Sequence, residues 1–108
     1  MTESGRVEVN DGQDFLVWRQ GMGYTVEILD IHVCGERRRQ GYGKRLLDLL
    51  LRDIPPDTKL LFAITRVSNT IAQEFYEAMG FRIVGRLHKF YKESKGSGEH
   101  ALMYGKDI

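Results

Sequence analysis

Residues 28–52, ILDIHVCGERRRQGYGKRLLDLLLR, decide the fold, because they change from an apolar strand to an arginine-rich loop and then to a leucine-rich helix. The branched residues of segment 28–33 favour a strand. The helix is predicted over residues 41–52, where a broad apolar face is made by Leu46, Leu47, Leu49, Leu50 and Leu51. This order predicts the first half of a βαβ unit.

The start of the predicted helix is unusually basic. Backbone N–H groups and a partial positive charge gather at a helix N-terminus, so cations there oppose the macrodipole unless an anion is bound. Gly41 and Gly43 are poor helix formers, but they let a ligand approach the main chain closely. These features predict a phosphate or pyrophosphate site; the alternative is a solvated basic start of a surface helix. The cations concerned are Arg37, Arg38, Arg39, Lys44 and Arg45.

Two common phosphate-binding motifs do not fit this loop. A Walker loop requires Gly and Ser or Thr at the positions that Arg38 and Arg45 occupy. A dinucleotide-binding fingerprint requires Gly at the position of Leu46. The loop therefore belongs to a different class of anion site.

The hexapeptide RRQGYG at residues 38–43 resembles the pattern [Arg/Gln]-x-x-Gly-x-[Gly/Ala] of the GNAT superfamily of acetyl-CoA-dependent N-acetyltransferases. The resemblance implies that this loop binds the pyrophosphate of acetyl-CoA through its backbone amides and that the preceding strand pairs with the pantetheine arm. The coenzyme-binding residues implied in this way are Ile31, His32, Val33, Arg38, Arg39, Gln40, Gly41, Tyr42, Gly43 and Lys44.

A second motif strengthens the resemblance. Asn69, Ala72, Tyr76 and Gly80-Phe81 follow the family segment Asn-x-x-Ala-x-x-x-Tyr-x-x-x-Gly-Phe, and GEHALM at residues 98–103 resembles its closing strand. The resemblance implies that Tyr76 donates a proton to the leaving thiolate and that Asn69 binds the coenzyme arm. Simpler alternatives are that Tyr76 only packs on the helix flank and that Asn69 only caps the helix.

For the catalytic base, the resemblance favours Glu27, which aligns with the glutamate of the histone-acetylating branch. Glu27 has the strand parity of Leu29 and Ile31, so a regular strand would place it in apolar surroundings, where desolvation favours protonation. A bulge would exchange its face for that of Asp30, the reserve candidate. The ribosomal-protein-acetylating branch carries its glutamate where this chain has Ile64.

Composition indicates one globular domain over residues 1–108, with residues 1–5 frayed. The net charge of +1 argues against a nucleic-acid partner, and the chain shows no bilayer-length apolar run or signal peptide. A single cysteine, Cys34, is typical of a cytoplasmic setting. No metal is expected, because no pair among the three histidines has the spacing of metal ligands: His32, His88 and His100.

The predicted fold is α/β (α+β), with a mixed, mainly antiparallel sheet and flanking helices. Strands over residues 6–9, 15–19 and 24–33 form an antiparallel meander, and a strand over 60–65, buried on both faces, runs parallel to the third of these. The remaining predictions are a second helix capped within residues 68–70 and ended by Gly80, a strand over residues 81–86, a loop over 92–99 and a last strand over 101–106.

The beginning of the chain departs from the family, because the usual first strand and two helices are not evident. We expect the acceptor groove to be open, completed by a second subunit in a homodimer, or replaced by the loop over residues 92–99. His88 and Tyr91, just before that loop, are candidate walls of the groove, and a backbone N–H near Val33 is the candidate oxyanion donor.

The predicted function is transfer of an acetyl group from acetyl-CoA to a primary amine, of a small molecule or a protein, by direct attack. The first alternative is an acyl-CoA-binding module that is inactive alone and is completed by a partner protein. A nucleic-acid binder that uses the arginine cluster is a third hypothesis, and it predicts steeply salt-dependent binding.

Overall fold

The computed structural model describes residues 3–35, 41–91 and 98–108. Six strands form one sheet in the order β1-β2-β3-β4-β6-β5. The elements are β1 Ser4–Val9, β2 Asp14–Gln20, β3 Thr25–His32, α1 Tyr42–Asp53, β4 Leu60–Arg66, α2 Thr70–Ala78, β5 Arg82–Tyr91 and β6 Glu99–Asp107.

The predicted antiparallel meander is present. β1 pairs with β2, and β2 pairs with β3, both antiparallel. The first turn contains Asn10 and Asp11 at φ values of 55° and 56°, a left-handed conformation that short polar side chains tolerate. β1 already begins at Ser4, so the chain joins the sheet two residues earlier than the predicted fraying allows.

The predicted βαβ unit is also present, because α1 connects β3 to a parallel β4. The chain then passes through α2 to the edge strand β5 and returns as β6 between β4 and β5. β6 is antiparallel to both neighbours. The sheet is therefore mixed and mainly antiparallel, as predicted, although the position of β6 did not follow from the sequence.

Both described helices pack on one face of the sheet. Leu46 and Leu50 of α1 share a buried core with Leu16, and Trp18 Nε1 of β2 donates a hydrogen bond to Asp53 of α1 at 3.3 Å. Tyr76 of α2 lies against Tyr104 of β6, with 5.6 Å between ring centroids. This face holds the hydrophobic core.

The opposite face is covered less completely. In β4, Leu61 and Ala63 are fully buried on the helix face, whereas Phe62 and Ile64 on the other face are only half-buried. The prediction that β4 is buried on both faces is therefore wrong, because both described helices cover the same side. We call the surface formed by Arg19, Glu27, Asp30, Phe62 and Ile64 the open face.

Candidate functional site

The two central parallel strands separate before they end, which leaves the β3–β4 gap. Their paired residues run only from Thr25 with Leu60 to Ile28 with Ala63. β3 continues to His32 and β4 continues to Arg66 beyond the last of these pairs. A parallel sheet opened in this way exposes backbone groups to a ligand, and ligands of open α/β sheets bind at the carboxyl ends of strands.

Beside this gap, on the helix face, lies a cavity of about 680 Å³. We call it the helix-side cavity. Its volume is within the usual range for a small-molecule or cofactor site, roughly 300–1,000 Å³. Seven of the predicted coenzyme residues line it: Ile31, His32, Val33, Gly41, Gly43, Lys44 and Asn69. The sequence-predicted strand end and helix start are thus brought together with the start of α2.

One further predicted coenzyme residue, Tyr42, is described but is not among the residues that line this cavity. Tyr42 is half-buried and packs against the hydrophobic core. The other three, Arg38, Arg39 and Gln40, lie outside the described residues. Their proposed contacts with a pyrophosphate stay predictions.

The start of α1 fits an anion. Its N-cap is Gly41, at a φ of 86°, and no side chain caps the helix. The first turn also contains no acidic residue, while Lys44 lines the adjacent cavity. The first amides of a helix have no partner within the helix, so this terminus can direct N–H groups at a bound phosphate.

Gly43 allows the start of α1 to approach α2 closely. A Cβ atom at Gly43 would lie 2.3 Å from Cε2 of Phe75, a separation that no side chain accommodates without movement. Phe75 itself lines the helix-side cavity. Gly43 therefore allows the present spacing of the two helices that enclose the cavity, and a side chain here would displace the Phe75 ring.

One wall of the cavity was missed by the sequence reasoning. α2 contributes a set of mostly apolar lining residues, of which Ile71 is 52% exposed. The apolar face of this helix was visible in the sequence, but no site was assigned to it. The α2 residues of this wall are Ile71, Ala72, Glu74, Phe75, Ala78 and Met79.

Asn69 occupies the N-cap of α2, and its side chain accepts a hydrogen bond from the Ala72 N–H at 3.1 Å. Asn69 also lines the helix-side cavity. The capping role is therefore observed. Because the cap uses the amide oxygen, the amide nitrogen is the group with which Asn69 could donate to a ligand.

Tyr76 is almost completely buried, with 4% of its surface exposed. Its ring contacts those of Phe75, Phe81 and Tyr104. Burial, followed by the charges of Asp30 and Tyr91, raises the pKa of the Tyr76 phenol well above its usual range. The group is therefore fully protonated at neutral pH.

A bulge at Leu29 sets the positions of the two candidate bases. Ile28 pairs with Trp18, but Asp30 pairs with the next β2 residue, Val17, so that Leu29 is left over. Because Glu27 pairs with Arg19, both carboxylates share the open face. The bulge thus places Asp30 on the same face as Glu27. The alternative given in the sequence analysis was that a bulge would exchange the faces of the two residues.

The predicted apolar surroundings of Glu27 are wrong. Its carboxylate forms an ion pair with Arg19, with 2.9 Å between Arg19 Nη2 and Glu27 Oε1, and 14% of the Glu27 side chain is exposed. The buried neighbours on its strand, Val26 and Ile28, point to the helix face instead. Leu29, on the bulge, is 46% exposed.

Tyr91 lies where β5 approaches the open face. Its hydroxyl donates to the carbonyl oxygen of Ile64 at 3.4 Å, and the Arg66 guanidinium lies 4.2 Å from its ring centroid. Burial raises the pKa of the Tyr91 phenol, with a smaller contribution from Glu27. Tyr91 therefore borders the mouth of the β3–β4 gap, whereas His88 pairs with the ring of His100 at 4.7 Å.

Two classes of site find no support in the described residues. Within ranges 3–35, 41–91 and 98–108, no three His, Cys, Asp or Glu side chains are grouped so that they could hold a metal ion. In the same part of the chain, no helix has the length and apolar character needed to cross a membrane.

Comparison with known proteins agrees with this geometry. The model of the Acetyltransferase (GNAT) family matches residues 5–81. The [ribosomal protein bS18]-alanine N-acetyltransferase of Haemophilus ducreyi is 35% identical over 65 residues, which are 59% of this chain and 45% of that protein. The chain thus spans less than half the length of this curated relative.

Two solved structures show the same fold. The ribosomal-protein-S18-alanine N-acetyltransferase of Escherichia coli has a TM-score of 0.71 at 21% identity, over 97% of this chain and 69% of that one. NAA60 of Arabidopsis thaliana, solved in complex with acetyl-CoA, has a TM-score of 0.70 at 21% identity, over 94% and 71%. With the family model matched over more than half of its residues, the chain belongs to the Acetyltransferase (GNAT) family.

Proposed function

We propose that this protein is an N-acetyltransferase that moves the acetyl group of acetyl-CoA to a primary amine by direct attack in a ternary complex. The observation that carries the proposal is the β3–β4 gap, which joins two chemically different regions. The helix-side cavity lies on one side, and the open face carries Glu27 and Asp30 on the other. Tyr76 lies near enough to Asp30 for that charge to raise its pKa.

Acetyl-CoA fits the helix-side cavity on three grounds. The uncapped start of α1 offers amides to the pyrophosphate, together with Lys44. The apolar wall of α2 suits the pantetheine arm. The side-chain amide nitrogen of Asn69 can donate a hydrogen bond to an amide group of that arm. When bound, the coenzyme supplies the acetyl group as a reactive thioester.

In this proposal Tyr76 is the general acid. A phenol is protonated at neutral pH, and burial, which disfavours the charged phenolate, keeps Tyr76 in this form in the free protein. A thiolate is a better leaving group when it is protonated, so a phenol at the gap accelerates departure of the coenzyme sulfur. The three aromatic neighbours of Tyr76 hold its ring in one place: Phe75, Phe81 and Tyr104.

We assign the general base to Glu27, with Asp30 as the alternative on the same face. An amine in water is mostly protonated, and it must lose a proton before it can attack. The carboxylate of Glu27 already holds a cation, the Arg19 guanidinium, so it also suits a protonated amine. The oxyanion donor is assigned to a backbone N–H of β3 beyond the bulge at Leu29.

The acceptor is assigned only to the class of primary amines, of a small molecule or a protein. Two of the compared proteins are named as alanine N-acetyltransferases of a ribosomal protein. A protein amine is accordingly one member of the class to test. A homodimer and a cytoplasmic setting stay predictions.

The test is calorimetric titration of the purified protein with acetyl-CoA, followed by thiol release against amines that include spermidine, a lysine peptide and an alanine-terminated peptide. We expect binding and turnover, and loss of both in Gly41→Glu, which places a carboxylate at the start of α1. Gly23→Glu is the matched control, because both glycines have a positive φ and nothing within 4 Å of a Cβ atom.

Binding without turnover would favour the alternative, an acyl-CoA-binding module completed by a partner protein. Absence of binding, with Gly41→Glu and wild type equally inert, would overturn the proposed function.

A further inference from the structure

We propose that Asp14 is a positioning residue, which fixes the end of β3 and through it the coenzyme-binding wall of the helix-side cavity. The inference rests on the proposed function, because the affected quantity is affinity for coenzyme A. Asp14 is the first residue of β2, directly after the β1–β2 turn. It does not itself line the cavity.

Asp14 is fully buried, with 0% of its surface exposed. One carboxylate oxygen, Oδ1, accepts a hydrogen bond from the backbone N–H of Cys34 at 2.9 Å. The other, Oδ2, accepts one from the side-chain amide of Asn10 at 2.6 Å. A buried carboxylate is costly unless it is hydrogen-bonded, so the position has a specific task that an apolar residue cannot perform.

The group that Asp14 holds lies at the edge of the candidate site. Cys34 directly follows Val33, a lining residue of the helix-side cavity, and it lies two residues beyond the last β2–β3 pair, Phe15 with His32. β3 has already lost its β4 partner after Ile28. The Asp14 carboxylate therefore anchors the chain where the pairing of β3 with β2 and β4 has ended.

Neighbouring contacts tie the same turn to the same strand end. His32 stacks on Phe15 with 5.5 Å between ring centroids, and 3.1 Å separates its Nδ1 from the carbonyl oxygen of Gln13. Three consecutive residues of the β1–β2 turn and β2 thus contact β3 close to its end. The turn sets the direction in which the chain leaves β3 for the glycine-rich start of α1.

This geometry predicts an effect on coenzyme binding greater than that on the chemical step. Without the carboxylate the Cys34 N–H loses its acceptor, and the strand end can move relative to α1 and α2. A hydrogen bond to a charged group is strong enough for its loss to change an equilibrium about tenfold or more. The acid, Tyr76, is on α2, and the base, Glu27, lies in the part of β3 that is paired with both β2 and β4, seven residues before Cys34.

The experiment measures the Kd of coenzyme A by calorimetry for wild type, Asp14→Ala, Asp14→Asn and the control Asp11→Asn. Asp11 is exposed in the same turn, so its variant keeps the turn but changes one charge. We expect Asp14→Ala to raise the Kd about tenfold or more while the protein still unfolds cooperatively. Asp14→Asn keeps an acceptor oxygen for the Cys34 N–H, but its NH2 group replaces the acceptor of the Asn10 amide, so we expect its Kd to rise less than that of Asp14→Ala.

A kinetic measurement adds a second readout. Asp14→Ala is expected to raise the KM for acetyl-CoA by a larger factor than it lowers kcat, whereas a general loss of folded protein would lower the apparent kcat alone. A folded Asp14→Ala variant with the Kd of wild type would overturn the inference alone. Wild type that does not bind coenzyme A would overturn the proposed function and this inference with it.

If Asp14→Ala does not fold, amide hydrogen exchange of the wild-type protein tests whether Asp14 holds the end of β3. The Cys34 amide is bonded to a buried carboxylate, so we expect it to exchange at least a hundredfold more slowly than an unstructured amide. Exchange at the unstructured rate would show that Asp14 does not hold the strand end, and would overturn the inference.

Discussion

The two sides of the β3–β4 gap differ in how they are built. The helix-side cavity is lined by residues of β3, α1 and α2, and a glycine at position 43 sets its width. The open face is formed by side chains of three strands and carries an ion pair between Arg19 and Glu27. One side offers backbone amides and apolar surface; the other offers charged side chains.

Under the proposed function, the helix-side cavity takes the coenzyme and the open face takes the acceptor. Backbone amides at a helix start recognise a phosphate whatever the neighbouring side chains are, so that region suits a coenzyme shared by many enzymes. Charged side chains on strands can change individually without altering the sheet. We therefore expect substitutions on the two sides to separate affinity for acetyl-CoA from turnover.

The largest effect is expected at the base. Glu27→Gln removes the proton acceptor but keeps the shape of the side chain, and we expect kcat to fall about a hundredfold or more with the Kd of acetyl-CoA unchanged. Asp30→Asn, on the same face, serves as the comparison. If Asp30→Asn lowers kcat and Glu27→Gln does not, the base is Asp30 and the assignment to Glu27 is wrong.

The next largest effect is expected at Tyr76, the proposed general acid. Tyr76→Phe is expected to lower kcat about a hundredfold, since the leaving thiolate loses its proton donor, while coenzyme affinity stays within about threefold. Single-turnover thiol release measures the step. Tyr24→Phe, at a residue that is 61% exposed, is the control for removal of a phenol. Equal rates in wild type and Tyr76→Phe would show that Tyr76 is not the general acid.

A change in the helix-side cavity should alter the affinity for acetyl-CoA instead of the turnover rate. In Gly43→Ala the new Cβ atom displaces Phe75 and narrows the helix-side cavity, so we expect the Kd of acetyl-CoA to rise about tenfold. Stability should not fall much, because Ala favours a helix more than Gly does. Gly85→Ala is the control, since its Cβ atom would meet Met103 at an ordinary 3.8 Å. A wild-type Kd for Gly43→Ala would contradict the role given to Gly43.

The smallest effect concerns stability at high pH. Burial, together with the hydrogen bond from the Tyr104 hydroxyl to Glu77 at 2.7 Å, raises the pKa of Tyr104 to about 12. The folded pKa exceeds the unfolded value of 10, so the stabilisation is complete below pH 10 and is lost as the pH rises towards 12.

Urea titrations at pH 8 and pH 11 measure this loss. Between the two, we expect the free energy of unfolding of wild type to fall by roughly 1 kcal/mol more than that of Tyr104→Phe, which cannot ionise. Equal losses in the two proteins would show that Tyr104 does not have a raised pKa.

The local features of this site could be predicted from the sequence. The strand before the loop, the helix after Gly41 and its parallel crossover to β4 all follow from hydrophobic patterns within a short stretch. Asn69 was recognised as a cap candidate because capping depends on neighbouring residues alone.

The features that were missed depend on distant parts of the chain. The bulge at Leu29 arises from the register between β2 and β3, and it decides which face Asp30 occupies. β6 inserts between β4 and β5 although it comes last in the sequence. The apolar face of α2 has the same pattern whether it packs on a core or, as at Ile71, lines a cavity.

We expect the helix-side cavity to bind acetyl-CoA and the open face to bind the amine. The most direct test is amide chemical-shift mapping of the ¹⁵N-labelled protein during titration with acetyl-CoA and then with an acceptor amine. We expect acetyl-CoA to shift amides of the helix-side cavity, including Val33, Gly43 and Ala72. The amine should then shift Glu27 and its open-face neighbour Phe62. Shifts centred on the open face with acetyl-CoA alone, or none at the helix-side cavity, would contradict the account.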